Sequence, residues 1–113
     1  MAQEEVVLWP KEPEWTRDEL IASLRHSLAG RVDEAWLFGS YASGTADDGS
    51  DVDLIIVRPT ALHFTERFRD FMDLWKIHAD IDLVIYTPEE WRKMVAEGGP
   101  FITLVSRTWV RVI

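Results

Sequence analysis

The alternation of apolar and polar positions along the chain predicts a series of short helices and strands. Thr16 and Glu19 have the spacing of a capping box, and the apolar residues after them recur at helical spacing, which predicts a first helix over about 16–29. Short runs rich in β-branched and aromatic residues predict strands at 32–38 and about 51–58. The polar, glycine-containing segment between these strands is predicted to be a loop.

An apolar stripe follows the second strand. Five large side chains at helical spacing predict a helix over about 62–77 and are expected to pack into the core: Phe64, Phe68, Phe71, Met72 and Trp75. Residues 79–87 then alternate between apolar and polar side chains, which predicts a third strand. Core packing explains these aromatic residues better than a base-stacking platform does.

A strong helix start follows the third strand. Thr87, Pro88 and Glu90 combine a capping box with proline in the first turn, so a further helix is predicted from this point. The tail is open to two interpretations, a helical turn at 101–105 and a last strand at 109–113.

The order helix, strand, strand, helix, strand, helix predicts a small α/β domain, of the α+β kind, with a mixed sheet packed by helices. The first two strands have no crossover helix between them, so they are predicted to be antiparallel neighbours. Residues 1–15 carry two prolines and no sustained periodicity, and are interpreted as an irregular arm. Residues 16–113 are interpreted as a single domain.

Composition narrows the classes of function. A formal net charge of −8 over 113 residues argues against a surface that binds nucleic-acid phosphates directly and suits a basic protein partner or divalent cations. The chain has no cysteine, which excludes disulfides and thiolate metal sites. It also has no apolar run long enough for a membrane span and no basic leader, so a cytoplasmic location is expected.

Two pairs of aspartates carry the candidate chemistry. Asp51 and Asp53 are two residues apart at the start of the second predicted strand, so their side chains share one face. Asp80 and Asp82 repeat the arrangement in the third strand, and the four carboxylates would converge if the two strands are neighbours. Like charges this close resist ionisation unless a cation lies between them, and oxygen ligands favour Mg²⁺, with Mn²⁺ as the alternative.

A Gly-Ser pair precedes the loop and supplies candidate phosphate donors. Gly39 allows close approach of the backbone, and its N–H could bind phosphate oxygens together with the N–H and hydroxyl of Ser40. Carboxylates that hold two metal ions beside phosphate donors suit the transfer of a nucleotidyl group from a triphosphate.

Gly39-Ser40, ten intervening residues and then Asp51-Val52-Asp53 resemble the signature of the nucleotidyltransferase superfamily with a DNA polymerase β-like fold. More narrowly, the chain is similar to the minimal nucleotidyltransferases, which are antitoxin partners of HEPN-domain toxins. The resemblance implies that Asp51 and Asp53 bind the metal ions and that Asp82 is the third metal-binding and catalytic carboxylate. Asp80 is the alternative for that third role.

The resemblance also implies an activity and a partner. The expected reaction transfers AMP from ATP, with two Mg²⁺ ions, to a hydroxyl of a nearby-encoded HEPN ribonuclease toxin, and tyrosine is the expected acceptor. One departure is that many relatives have a loop arginine where this chain has Ser43, and Asp47 and Asp48 add negative charge nearby.

Two other functions are compatible with the sequence. The chain could be an antitoxin that neutralises the toxin by binding alone, in a hetero-oligomer. It could also be a small-molecule nucleotidyltransferase that acts as a homo-oligomer with its acceptor site between subunits.

Overall fold

The computed structural model of the chain describes residues 15–113, and its first element is helix α1, Arg17–Leu28. The Thr16 hydroxyl accepts a hydrogen bond from the N–H of Glu19, and the Glu19 carboxylate accepts one from the N–H of Thr16. Both bonds satisfy N–H groups that have no partner inside the helix, as the capping box predicts. The apolar face of α1 is buried, which confirms the predicted helix.

A four-stranded mixed sheet forms the centre of the structure, and its strands are β1 (Glu34–Phe38), β2 (Val52–Val57), β3 (Ile81–Tyr86) and β4 (Val110–Arg111). Their order across the sheet is β3-β2-β1-β4. Strands β1 and β2 are antiparallel, as predicted, whereas β2 and β3 are parallel. The predicted mixed sheet is therefore confirmed, and β3 forms one of its outer edges.

The helices flank this sheet, and besides α1 they are α2 (Ser40–Ser43), α3 (Pro88–Glu97) and α4 (Pro100–Val105). Helix α3 begins with the predicted capping box between Thr87 and Glu90. Both interpretations of the tail are confirmed, because α4 is the helical turn and β4 is a short last strand that pairs with β1.

The predicted helix between β2 and β3 is a 3₁₀ helix, Phe64–Lys76, with a kink at Phe71. Because a 3₁₀ helix has three residues per turn, different side chains face the core than in an α-helix. Phe71 and Leu74 are fully buried, but Phe64, Phe68 and Met72 are 53%, 41% and 59% exposed. The expectation that all five stripe residues pack into the core is therefore wrong for these three.

The two faces of the sheet carry different cores. Helix α1 and the 3₁₀ helix pack against one face, where the buried residues are aliphatic apart from Tyr41 and Phe71. Helices α3 and α4 cover the other face, where aromatic rings lie in contact: Trp36, Phe38, Tyr86, Trp91, Phe101 and Trp109. The candidate aspartates lie beside this second core, at one end of the sheet.

Most of the predicted irregular arm, residues 1–14, lies outside the described residues. Trp15, its last residue, is described, and its indole N–H donates a 3.0 Å hydrogen bond to the carbonyl of Ile77. Within residues 15–113 there is no helix with the length and apolarity needed to cross a membrane.

Candidate active site

Two aspartates from neighbouring strands lie side by side at the centre of the site. Asp53 of β2 and Asp82 of β3 are register partners in the parallel ladder, so their side chains project from the same face of the sheet. The two carboxyl groups are close enough to share a hydrogen bond when one of them carries the proton. The convergence predicted from the sequence is therefore confirmed for this pair.

Burial and neighbouring negative charge disfavour ionisation of Asp53. Burial, followed by the neighbouring carboxylates of Asp82 and Asp51 and a hydrogen bond with Asp82, together raise the pKa of Asp53 from 3.8 to about 6. A group that is only half-buried would keep an ordinary pKa if a cation balanced these charges. Among the described residues, no positively charged side chain lowers the pKa of Asp53.

Asp51 and Asp80 are placed less centrally. Asp51 is exposed at the residue before β2, and its charge acts on Asp53. Asp80 is also exposed, and its backbone carbonyl accepts a hydrogen bond from the N–H of Val52. Asp80 is not among the groups that shift the pKa of Asp53, so the geometry favours Asp82 over Asp80 as the third carboxylate.

Gly39 makes room for Asp53. Its backbone has a φ of +77°, and a Cβ at this position would collide with Oδ2 of the Asp53 carboxylate. Any other residue would both strain the backbone and displace that carboxylate. Sequence reasoning expects this glycine to let a phosphate approach, whereas the structure gives it the additional task of admitting a carboxylate.

The backbone of Gly39 is fixed by a residue that sequence reasoning missed. The N–H of Gly39 donates a 3.0 Å hydrogen bond to Oγ1 of Thr108, from the loop between α4 and β4. This N–H is therefore already engaged, and a phosphate would have to displace Thr108 to use it. Ser40, the first residue of α2, is half-buried beside it. No local motif around Thr108 signals this contact, because it joins residues 69 positions apart.

The predicted loop between β1 and β2 is wrong for its first residues, because Ser40–Ser43 is helix α2, and this helix lies beside a positive charge from helix α1. The guanidinium of Arg17 donates a 3.1 Å hydrogen bond to the carbonyl of Ala42. An arginine distant in sequence thus lies next to the helix that carries Ser43. In the loop after α2, Asp47 is held in a turn, because its carboxylate accepts hydrogen bonds from the N–H of Gly49 and the hydroxyl of Ser50. These local hydrogen bonds partly offset the negative charge of Asp47 that is expected to oppose a triphosphate.

His78 is a further residue that the sequence did not reveal. It is 7% exposed and packs edge-on against Tyr41 of α2, with ring centroids 5.8 Å apart. Its Nδ1 accepts a 3.0 Å hydrogen bond from the N–H of Asp80. This ring connects the residues before β3 to helix α2, which begins at Ser40.

The donor set fits a hard divalent cation, since Asp51, Asp53 and Asp82 offer only carboxylate oxygens. Within residues 15–113, however, no three acidic or histidine side chains already surround one point closely enough to hold an ion. Asp53 and Asp82 would hold a cation, and Asp51, whose charge also acts on Asp53, is the further carboxylate that could join them.

Comparisons with known proteins agree with this geometry. A family described as "Polymerase beta, Nucleotidyltransferase" matches residues 19–99, which contain all the aspartates discussed above. No curated protein matches the chain. Among solved structures, a mutant of the toxin-antitoxin MntA-HpeT is similar, with 18% identity, a TM-score of 0.53, and coverage of 88% of this chain and 73% of that chain.

A second solved structure, a toxin-antitoxin with AMP-PNP, is similar at 19% identity, with the same TM-score of 0.53 and the same coverage of 88% and 73%. At these identities the likeness shows the fold alone. The family match extends over most of the chain and includes the Gly39-Ser40 and Asp51-x-Asp53 elements. The chain therefore belongs to the polymerase beta nucleotidyltransferase family.

Proposed function

We propose that this protein transfers AMP from ATP to a hydroxyl group of a partner protein, a HEPN-type toxin encoded nearby, with tyrosine as the acceptor. One observation carries the proposal: Asp53 and Asp82 lie in register on one face of the sheet, next to Gly39. This arrangement offers a proton acceptor and a cation site beside candidate phosphate donors. The reaction would take place in the cytoplasm.

In the proposed reaction the acceptor oxygen attacks the α-phosphorus of ATP. A new P–O bond forms, the bond between the α- and β-phosphates breaks, and pyrophosphate leaves. The hydroxyl proton passes to the carboxylate of Asp82, which is exposed and lies at the outer strand. Ser40 binds a phosphate oxygen, and the guanidinium of Arg17 places a positive charge beside α2.

Asp51, Asp53 and Asp82 would hold Mg²⁺ ions, which when bound balance the charge of the phosphates and lower the pKa of the acceptor hydroxyl. The proteins of similar fold described above are toxin-antitoxin structures, one of them with AMP-PNP, which supports a toxin partner and an ATP-like substrate. The net charge of −8 adds support, because it suits a basic ribonuclease.

Intact-mass measurement of the partner tests this function. The protein is incubated with ATP, Mg²⁺ and the product of the adjacent reading frame, and the partner is expected to gain the mass of an AMP group. Asp53→Asn should abolish the gain, because it removes a charge from the central pair. Asp33→Asn, at an exposed position before β1 and at the opposite end of the sheet, is the matched control and should retain it. A partner whose mass stays unchanged with the wild-type protein would contradict the proposal.

Neutralisation by binding alone is the second candidate, and the hydrogen bond between the Gly39 N–H and Thr108 favours it, because that bond occupies a candidate phosphate donor. Growth rescue separates the two functions. If cells that express the toxin survive with Asp53→Asn as well as with the wild-type protein, and the variant still binds the toxin, binding alone is sufficient.

A further inference from the structure

The outer edge of β3 borders a groove that the site described above does not use. Strand β3 pairs with β2 on one side, and no strand of residues 15–113 pairs with its other side. The groove has a cavity volume of about 260 Å³, and its lining comes from the 3₁₀ helix and from β3: Phe64, Thr65, Arg67, Phe68, Leu83, Val84 and Ile85. An open sheet edge of this kind can pair with an extended segment of another chain.

The hydrogen-bonding direction of each residue in β3 follows from its ladder with β2. The carbonyl of Asp80 accepts a hydrogen bond from the N–H of Val52 in β2, and that of Tyr86 accepts one from the N–H of Arg58, just after β2. Even-numbered residues of β3 therefore direct their N–H and C=O groups toward β2. Leu83 and Ile85 consequently direct theirs outward. Arg67 donates a 3.1 Å hydrogen bond to the outward carbonyl of Ile85, which ends the available edge at that residue.

The far wall of the groove is apolar and exposed. Phe64 and Phe68 are two of the three large side chains that the 3₁₀ helix leaves in solvent. Both line the groove and can cover alternate side chains of an added strand, whereas Met72 does not line it. Exposed aromatic residues beside an open strand edge indicate a surface for an extended polypeptide.

The open edge of β3 lies beside the paired carboxylates of Asp53 and Asp82. Neighbouring strands lie about 4.8 Å apart, and residues opposite each other project from the same face of a sheet. The residue of an added strand opposite Asp82 would therefore project beside Asp82 on the face that carries Asp53. A hydroxyl at that position would become the third member of a row formed by Asp53, Asp82 and the acceptor.

The negative charge at the start of β3 indicates which kind of chain binds the groove. Asp80 and Asp82 are exposed where β3 begins, and among residues 15–113 no arginine or lysine forms an ion pair with either. A second copy of this chain, with a net charge of −8, would bring like charges to this edge. A basic segment from a different protein would bring the opposite charge.

We infer that an extended, basic segment of the partner protein adds to the outer edge of β3 and places its acceptor hydroxyl opposite Asp82. The inference rests on the proposed function, and it names the surface that binds the protein substrate. Phe64 and Phe68 hold the segment, Leu83 pairs with its backbone, and Arg67 limits its length.

Binding measurements with a matched pair of variants test the groove. Phe68→Lys removes an apolar contact and repels a basic segment, whereas Leu104→Lys makes the same charge change at an exposed residue of α4, on the opposite face of the sheet. With the product of the adjacent reading frame as the probe, Phe68→Lys should raise the Kd at least about tenfold and slow AMP transfer. Leu104→Lys should change neither, and both variants should melt at the wild-type temperature.

Amide hydrogen exchange tests the backbone pairing. The N–H groups of Leu83 and Ile85 should exchange at least about tenfold more slowly when the partner is bound, while those of Asp82 and Val84 are already protected by β2 in the free protein. Protection of Leu83 that instead appears in the free protein as its concentration rises would identify a second copy as the occupant and overturn the inference.

The outcomes separate this inference from the proposed function. AMP transfer that stops with Asp53→Asn but is unaffected by Phe68→Lys, with no protection of Leu83, would leave the function intact and overturn the groove. Partner binding that protects Leu83 and is weakened by Phe68→Lys, without AMP transfer, would support the groove and contradict the function. A partner that neither binds nor is modified would overturn both.

Discussion

At the scale of single residues, Gly39 is the position where the structure leaves least room for change. Gly39→Ala should abolish AMP transfer and lower the free energy of unfolding, because the methyl group would collide with the Asp53 carboxylate. Gly44→Ala is the matched control, since Gly44 has a similar φ of +81° but open space around it. The control should cost about 1 kcal/mol of strain and Gly39→Ala at least about 1 kcal/mol more in chemical denaturation. Equal losses in the two variants would show that the carboxylate moves aside freely.

The raised pKa of Asp53 makes a second prediction at this scale. Between pH 3.8 and about 6 the folded state binds more protons than the unfolded state at this residue, so its contribution to stability falls as the pH rises through this window. In thermal melts without divalent cations, Asp53→Asn should therefore be more stable than the wild type at pH 7.5, and the difference should shrink toward pH 4. Added Mg²⁺ should raise the melting temperature of the wild type and not that of the variant. A variant that is less stable at every pH would contradict this account.

At the scale of elements, Glu90 joins the 3₁₀ helix to α3. Its carboxylate accepts a 2.7 Å hydrogen bond from the buried guanidinium of Arg67 and a 2.8 Å hydrogen bond from the N–H of Thr87. The hydrogen bond from Arg67 is the main reason that the pKa of Glu90 lies below its usual 4.5, and the bond from Thr87 adds to it. The Glu90 side chain thus caps α3 and balances the charge of Arg67 in the 3₁₀ helix between β2 and β3.

Glu90→Gln should lower the free energy of unfolding by about 1 to 2 kcal/mol at pH 7, because buried Arg67 loses its charged partner while Glu90 itself is partly exposed. The stabilisation that Glu90 provides is present above its unfolded pKa and is lost as the pH falls through the lowered folded value. Urea titrations of both proteins should therefore converge under acidic conditions. Glu89→Gln is the control, because its surface pair with Arg92 is exposed and should contribute little.

At the scale of the whole molecule, net charge governs association. The protein carries −8, so attraction to a basic partner should accelerate encounter at low salt and be screened at high salt. Stopped-flow measurements should show that the association rate constant falls at least about tenfold between about 0.05 M and 0.5 M NaCl, with a smaller change in dissociation. An association rate that does not depend on salt would show that the acidic surface does not guide the partner.

The sequence predicts most of the fold because local signals agree with the final packing. The two capping boxes, the alternation in the strands and the missing crossover between β1 and β2 each indicate the correct element. The 3₁₀ helix is the main failure, since a 3.6-residue period and a three-residue period share several positions in a short stripe.

The candidate site divides in the same way. Asp53 and Asp82 are found because a two-residue period fixes their face and chain order suggests that their strands are neighbours. Thr108, Arg17 and His78 are missed. Thr108 and Arg17 each form a hydrogen bond with a backbone group distant in sequence. His78 packs against the ring of Tyr41 and accepts a hydrogen bond from one backbone N–H.

The exposed carboxylates at the start of β3 also affect how the protein behaves at high concentration. An open strand edge is a template for edge-to-edge aggregation, and charged side chains along it are a common protection. Asp80 and Asp82 therefore favour solubility, and Asp82 also takes part in the proposed chemistry. A variant made inactive by neutralising both would expose a smoother edge and should precipitate more readily, so a charge-preserving replacement is the better choice for an inactive yet soluble protein.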